Sequence, residues 1–168
     1  MEIRLANSSD LPLLSGIEVE AGRLFADAGM DEIAGDEGAP LSVLAEHQAA
    51  GHAWVAEVDG AVVGYLIAEE VDGCLHVEQI SVRPAYGRRG IGAALLEAAA
   101  ECALAENRPA LTLTTFVEVP WNAPYYARHG YRLLAEDELT PGLRAIRERE
   151  AGLGLDKWPR TAMRRDLA

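Results

Sequence analysis

The chain has 168 residues, 49% of them hydrophobic and 25% charged, a composition that fits one globular domain with a buried core. Its net charge is −12, unevenly spread: residues 1–80 hold two arginines against sixteen acids, residues 81–168 thirteen bases against eleven acids. Such an acidic chain excludes phosphate-backbone binding as a main role, so no nucleic-acid partner is expected, although the acidic half can steer cations. Cys74 and Cys102 form no CxxC pair, and neither a disulfide framework nor a metal site is expected. No apolar run reaches membrane-helix length, and Met1-Glu2-Ile3-Arg4 lacks a secretory pattern. A cytoplasmic location without a membrane partner is the expectation.

Along the chain, residues 1–5 alternate as a strand, and Asn7-Ser8-Ser9-Asp10 supplies N-cap residues. Leu11, Leu14, Ile17, Leu24 and Phe25 recur at helical spacing, which predicts a helix over 10–28. The acidic, Gly-rich stretch 29–40 reads as a loop and 41–50 as a second helix. Strands over 53–58 and 61–70 are joined by Asp59-Gly60, a strong hairpin signal, and Val71-Asp72-Gly73 turns into a third strand over 75–82. An Ala/Leu-rich helix spans 90–107, with Ile91, Leu95, Ala98 and Cys102 on one stripe. A Leu/Thr-alternating strand follows over 111–117, then a helix at 122–129, a strand at 131–134, a helix at 143–151 and a strand near 160–165. The order predicts one α/β domain over 1–168 with a mixed, mostly antiparallel sheet flanked by helices. The helix at 90–107 makes its two flanking strands parallel neighbours. The C-terminal helix and strand leave room for a homodimer.

The strand over 75–82 changes phase: Leu75 and Val77 share one face, Ile80 and Val82 the other parity, which predicts a β-bulge near 78–79. It feeds Arg83-Pro84-Ala85-Tyr86-Gly87-Arg88-Arg89-Gly90-Ile91-Gly92-Ala93. A Gly-rich strand-to-helix turn aims backbone N–H groups and the positive helix end at one point, which suits a pyrophosphate. The spacing matches neither the dinucleotide fingerprint nor the P-loop.

These residues resemble the acyl-CoA-binding motif of the GNAT superfamily of N-acetyltransferases, written Arg/Gln-x-x-Gly-x-Gly/Ala, on Gly87 through Gly92. Gly87 departs from the usual Gln or Arg and removes a side chain near the pyrophosphate. The preceding segment Glu78 to Pro84 looks like the family's strand into that loop, and the likeness runs from about residue 3 to 134. It implies acetyl-CoA as acyl donor. Ile80, Ser81 and Val82 would pair with the pantetheine arm, and Gly87, Arg88, Arg89, Gly90, Ile91, Gly92 and Ala93 would hold the pyrophosphate. Trp121 to Tyr131 resembles the family's C-terminal helix. That likeness makes Tyr126 the hydrogen donor to the leaving thiolate and Asn122 a contact of the CoA arm.

Acetyl transfer to an amine needs a proton acceptor and a donor at the sulfur, but no covalent nucleophile. Glu78 is the leading base, with His76 and Glu118 as competitors. The acceptor, a small-molecule or peptide amine of cationic character, is expected at the first helices and their loop. Glu18, Glu20, Asp27, Asp31 and Glu32 lie there, with acids continuing to Glu37. Trp54 is expected in the core, and Trp121 is a second candidate pocket aromatic. The resulting expectation is transfer of an acetyl group to a primary amine by direct attack in a ternary complex. The alternative is a catalytically silent sensor that binds acyl-CoA on the same fold.

Overall fold

A computed structural model describes residues 1–35 and 38–167. Seven strands are hydrogen-bonded in the order β1-β2-β3-β4-β5-β7-β6. They are β1 (Glu2–Leu5), β2 (Ala53–Val58), β3 (Ala61–Val71), β4 (Cys74–Val82), β5 (Ala110–Phe116), β6 (Arg132–Leu133) and β7 (Arg160–Asp166). The β1/β2, β2/β3, β5/β7 and β6/β7 pairs are antiparallel, whereas β4 and β5 are parallel, paired at Leu75↔Leu111 and His76↔Thr112. The parallel pair follows from the connection through α5 (Ile91–Ala105), since a strand cannot return parallel without a crossover. The fold is therefore the mixed α/β class the sequence predicts.

By its internal contacts the chain divides into two compact units, residues 1–69 with 78–99, and residues 70–77 with 100–168. The first unit carries α1 (Leu11–Gly22), α2 (Leu24–Asp27), α3 (Asp31–Ala34) and α4 (Leu41–Ala49). Leu11, Leu14 and Ile17 fall on one helical stripe and bury against Leu44, Val55, Tyr65 and Ile67. The helix expected over 10–28 is broken. Its hydrogen bonds tighten at Arg23, whose N–H turns to Glu20 and Ala21, and α2 restarts at Leu24. The loop expected over 29–40 contains the helical turn α3, with Asp31 and Glu32 in the first turn, where the helix dipole favours acids. Asp36 and Glu37 lie outside the described residues. Asp10 does not cap α1 with its side chain. It accepts from the Asn7 N–H and pairs with Arg4 at 2.8 and 3.0 Å.

The Asp59-Gly60 hairpin has positive φ at both turn residues (51° and 80°), the type I′ geometry that Asp-Gly tolerates. The register of β2 on β3 slips between Ala56 and Glu57, which face Gly64 and Val62, so Val63 is the extra residue. This slip belongs to the β2/β3 ladder, and on β4 the pairing with β5 is at Leu75 and His76, before the 78–79 position.

The second unit carries α6 (Ala123–Arg128) and α7 (Pro141–Gly152). Leu143 of α7 buries with Leu134 and Ala162, against Val71, Leu139 and Ile146. The strand expected over 131–134 is reduced to β6, two residues on the edge of β7. Glu150 of α7 reaches Arg160 of β7 at 3.1 Å, Arg147 at 2.8 Å and the Thr114 hydroxyl of β5. Burial would push its carboxyl upward, but Arg160, Thr114 and Arg147 together hold it below the usual carboxylate range. Arg160 is only 9% exposed, so removing the countercharge strands a buried guanidinium. Glu150→Gln is expected to lower the stability of the second unit by about 3 kcal/mol, the lower end for a broken buried pair. Urea unfolding monitored by intrinsic tryptophan fluorescence measures it, and an unchanged midpoint would show the network to be dispensable.

Candidate active site

In the first unit, β4 delivers Glu78, Gln79, Ile80, Ser81 and Val82, and then the chain turns. Pro84–Tyr86 forms a 3-10 turn, Arg88 and Gly90 take left-handed φ of 62° and 79°, and α5 begins at Ile91. Ala94 donates to the Gly90 carbonyl at 3.0 Å, which leaves the N–H groups of Ile91, Gly92 and Ala93 as the unsatisfied first-turn donors of α5. These amides, the dipole of a 15-residue helix and the exposed Arg88 and Arg89 suit a pyrophosphate. Arg89 lies over the Tyr86 ring, 5.1 Å from its centroid. At Gly87, a Cβ would meet the Pro84 carbonyl at 3.3 Å, so the residue that departs from the common motif is the one the tight turn admits without adjustment.

Close packing sets this passage. At Gly64 of β3, a Cβ would come within 3.1 Å of the Ser81 carbonyl, 3.3 Å of Val82 and 3.4 Å of Ile91. Val62 and Val63 carbonyls take the Arg83 side chain and N–H at 3.3 and 2.8 Å, and Arg83 forms an ion pair with Glu20. Glu20, expected at the acceptor site, is thus bound to the base of the turn.

A cavity of about 340 Å³ opens in the same unit, lined by Glu18, Gly38, Ala39, Pro40, Val43, Ile67, Glu78 and Gln79. Glu18 is fixed there. Its Oε1 accepts from the buried Tyr65 hydroxyl at 2.6 Å and from the Ala39 N–H at 3.1 Å. Burial and the Glu18 charge both push the Tyr65 hydroxyl far above its ordinary pKa, so it stays a donor. Glu78, 40% exposed, meets His47 of α4, with Oε2 2.6 Å from Nε2. The Nδ1 of His47 lies 2.8 Å from the Val43 carbonyl. Hydrogen bonding to Glu78 holds the His47 pKa above 6.5 despite burial, helped by the Val43 carbonyl and the charges of Glu78 and Glu69. Asp27, Asp31 and Glu32 are not among the described residues that line this cavity.

Tyr126 belongs to the second unit. It is 8% exposed, packed edge-on against Tyr125 (5.5 Å) and Tyr131 (5.8 Å). Burial first, then the neighbouring tyrosines, push its hydroxyl well above the ordinary phenol range. Asn122 precedes α6, and its Oδ1 accepts from the Phe116 N–H at 3.4 Å. His76 is buried and bonded through Nδ1 to the Thr112 hydroxyl at 2.8 Å. Glu118 is exposed after β5, and Trp121 is half-buried there. Trp54, in the first unit, is 5% exposed and stacks on His52.

His47, Tyr65 and Gln79 are the site residues that sequence reasoning does not find. His47 is 31 positions from Glu78 and carries no motif. The one available signal is its placement four residues after Val43 on a short helix.

Residues 49–133, just over half of the chain, match the family model of the acetyltransferase (GNAT) domain, and the chain belongs to that family. Its fold is shared with Rv2747 from Mycobacterium tuberculosis in complex with CoA and NLQ (TM-score 0.72, 21% identity, all of both chains covered). N-acetylglutamate synthase from Neisseria gonorrhoeae, complexed with coenzyme A and N-acetyl-glutamate, aligns with a TM-score of 0.74 at 20% identity. That alignment covers 99% of this chain and 35% of the synthase, so the chain spans about a third of that protein. A GNAT-family acetyltransferase from Staphylococcus aureus aligns with a TM-score of 0.72 at 15% identity over 99% of both chains. Among the described residues no helix is long and apolar enough to cross a membrane.

Gly64→Val is expected to cost roughly 1–3 kcal/mol by overpacking and to weaken ligand binding at the turn, probed with acetyl-CoA, since the clash falls on Ser81, Val82 and Ile91. Thermal melts and calorimetric titration test it together; wild-type affinity in a destabilised variant would uncouple β3 from the turn.

Proposed function

We propose that the protein is an acetyl-CoA-dependent N-acetyltransferase that acylates a primary amine by direct attack in a ternary complex. The observation that carries this reading is the turn from Gly87 to Ala93, with its first-turn amides of α5 and paired arginines, in a chain of the GNAT family. Gly87, Arg88, Arg89, Gly90, Ile91, Gly92 and Ala93 hold the pyrophosphate, and backbone of Ile80, Ser81 and Val82 receives the pantetheine arm. Asn122 is the further contact on that arm. Acetyl-CoA supplies an activated thioester carbonyl.

The amine enters the cavity in the first unit. Glu18 and Glu78 favour a cation, while Pro40, Val43 and Ile67 give it an apolar wall. A dicarboxylate acceptor such as glutamate would meet two carboxylates of like charge there, so the acceptor differs in class from that of the gonococcal synthase. Glu78 takes the ammonium proton and frees the nitrogen lone pair. Tyr126 acts at the sulfur. A phenol held above its ordinary pKa does not surrender its proton to a thiolate whose own basicity is near ~8.5. Its Oη instead donates a hydrogen bond as the C–S bond breaks, stabilising the charge that develops there.

The deciding experiment is calorimetric titration with acetyl-CoA, followed by thiol release across a panel of amines. Saturable binding is expected in the wild type and its loss in Gly90→Glu and Gly92→Glu. Tyr126→Phe should retain binding and lose about 10²-fold in kcat, the scale of one charge-stabilising hydrogen bond. Absence of acetyl-CoA binding overturns the reading. Binding without turnover of any amine assigns the chain to acyl-CoA sensing instead.

A further inference from the structure

The contact between His47 and Glu78 specifies a proton. A carbonyl only accepts, so the 2.8 Å approach of His47 Nδ1 to the Val43 carbonyl places a proton on Nδ1. Nε2 then faces a carboxylate oxygen at 2.6 Å. A proton on Nε2 makes that approach a close ion pair with Glu78, with the N–H not aimed along a hydrogen-bond line. Glu69 of β3 brings a third group, all three ligand atoms lying within 4.8 Å of one another. A metal set is nevertheless the poorer description. Two atoms bound tetrahedrally to one zinc at ~2.0–2.1 Å stand roughly 3.3 Å apart, so the 2.6 Å between Nε2 and Glu78 is too close for two ligands of one ion. The ring is held by geometry as well as charge: His47 is 8% exposed, and Val43 sits one turn earlier on α4.

We propose that His47 is the positioning residue of the base, and that His47 and Glu78 act together as one proton acceptor for the substrate ammonium. The inference rests on the transferase reading above. In the reactive form the imidazole is neutral, protonated on Nδ1, and Glu78 is a carboxylate. The ammonium N–H bond breaks and its proton goes to Glu78, then across the short contact to Nε2. The freed nitrogen lone pair forms the N–C bond as the C–S bond of the thioester breaks. The second N–H proton, lost as the amide forms, passes through water to the departing thiolate, and the imidazolium–carboxylate pair returns the first proton to solvent.

The pairing answers a mismatch. In water a lone carboxylate binds protons only near pH ~4 and an alkylammonium keeps its own until pH ~10; an imidazole coupled to the carboxylate accepts much closer to neutrality. The acidic groups facing the imidazole or its cavity are Glu78 on β4, Glu69 on β3 and Glu18 on α1, with the Tyr65 hydroxyl bonded to Glu18. The negative ones favour the protonated ring, and burial opposes them. Activity is therefore lost as pH falls, through a limb belonging to the pair and lying above 6.5.

Two measurements test this. Histidine-ring NMR, read without substrate, follows the titration of His47 in the wild type and in Glu78→Gln. It is expected above the ordinary imidazole range in the first and back within it in the second. The pH profile of kcat/KM is then compared with that of His47→Gln, whose amide can still bond Glu78 but cannot titrate. The variant is expected to bind acetyl-CoA normally, to lose about 10²-fold in kcat/KM, the lower end for general-base catalysis, and to lose the limb assigned to the pair. A His47 titration indifferent to Glu78→Gln overturns the coupled pair, and a wild-type limb persisting in His47→Gln overturns the relay. A wild-type protein that turns over no amine fails the transferase reading and the relay with it. That case is distinguished because the NMR titration is read independently of turnover.

Discussion

The first unit depends on a steric constraint, the missing side chain at Gly64. β3 passes so close to Ser81 and Ile91 that a single added carbon would press on the end of β4 and the start of α5 together. Those two segments carry the backbone that a phosphate-bearing ligand would read. The Arg83 bonds to the Val62 and Val63 carbonyls sit at the neighbouring bulge, where the register slip of β3 against β2 redirects its carbonyls. Packing, bulge and turn are therefore one local solution: the bulge frees acceptors, Arg83 takes them, and the glycine lets the strand lie down.

Charge is handled differently on the two sides of that strand pair. Acids that serve the scaffold are paired: Glu20 with Arg83, and Asp10 with Arg4. Glu18 is held by a phenol and a backbone amide. Such donors stabilise a carboxylate without cancelling its charge, so the cavity keeps a negative character that an ion pair would remove. The uneven sequence charge is in this sense partly structural and partly a field aimed at a ligand.

The second unit spends its charges on cohesion. Glu150 gathers Arg147, Arg160 and Thr114, and Arg160 also lies over the Phe116 ring at 4.3 Å. Leu143 and Ile146 of α7 pack within the unit against Leu134 and Ala162. Tyr126 draws its high pKa from the same dense packing, through Tyr125 and Tyr131.

The sequence by itself determined the features written in local chemistry. Asp59-Gly60 and Asp72-Gly73 force left-handed turns, so the meander of β2, β3 and β4 was legible. The Gly87–Gly92 turn was legible because glycine spacing and a following helix are contiguous in the chain. The slip at Val63 on β3, in the ladder with β2, left no alternation change that the sequence reading caught. The helix over 10–28 was overextended because apolar spacing continues through Arg23, where hydrogen bonding does not. The site's electrostatics were beyond reach for a different reason. His47, Tyr65 and Glu18 acquire their roles from partners 20 to 50 positions away, and a hydrogen bond across the fold leaves no periodic trace. Glu78 could be named from its strand; the imidazole that gives it a proton to share was decided only when α4 packed against β4.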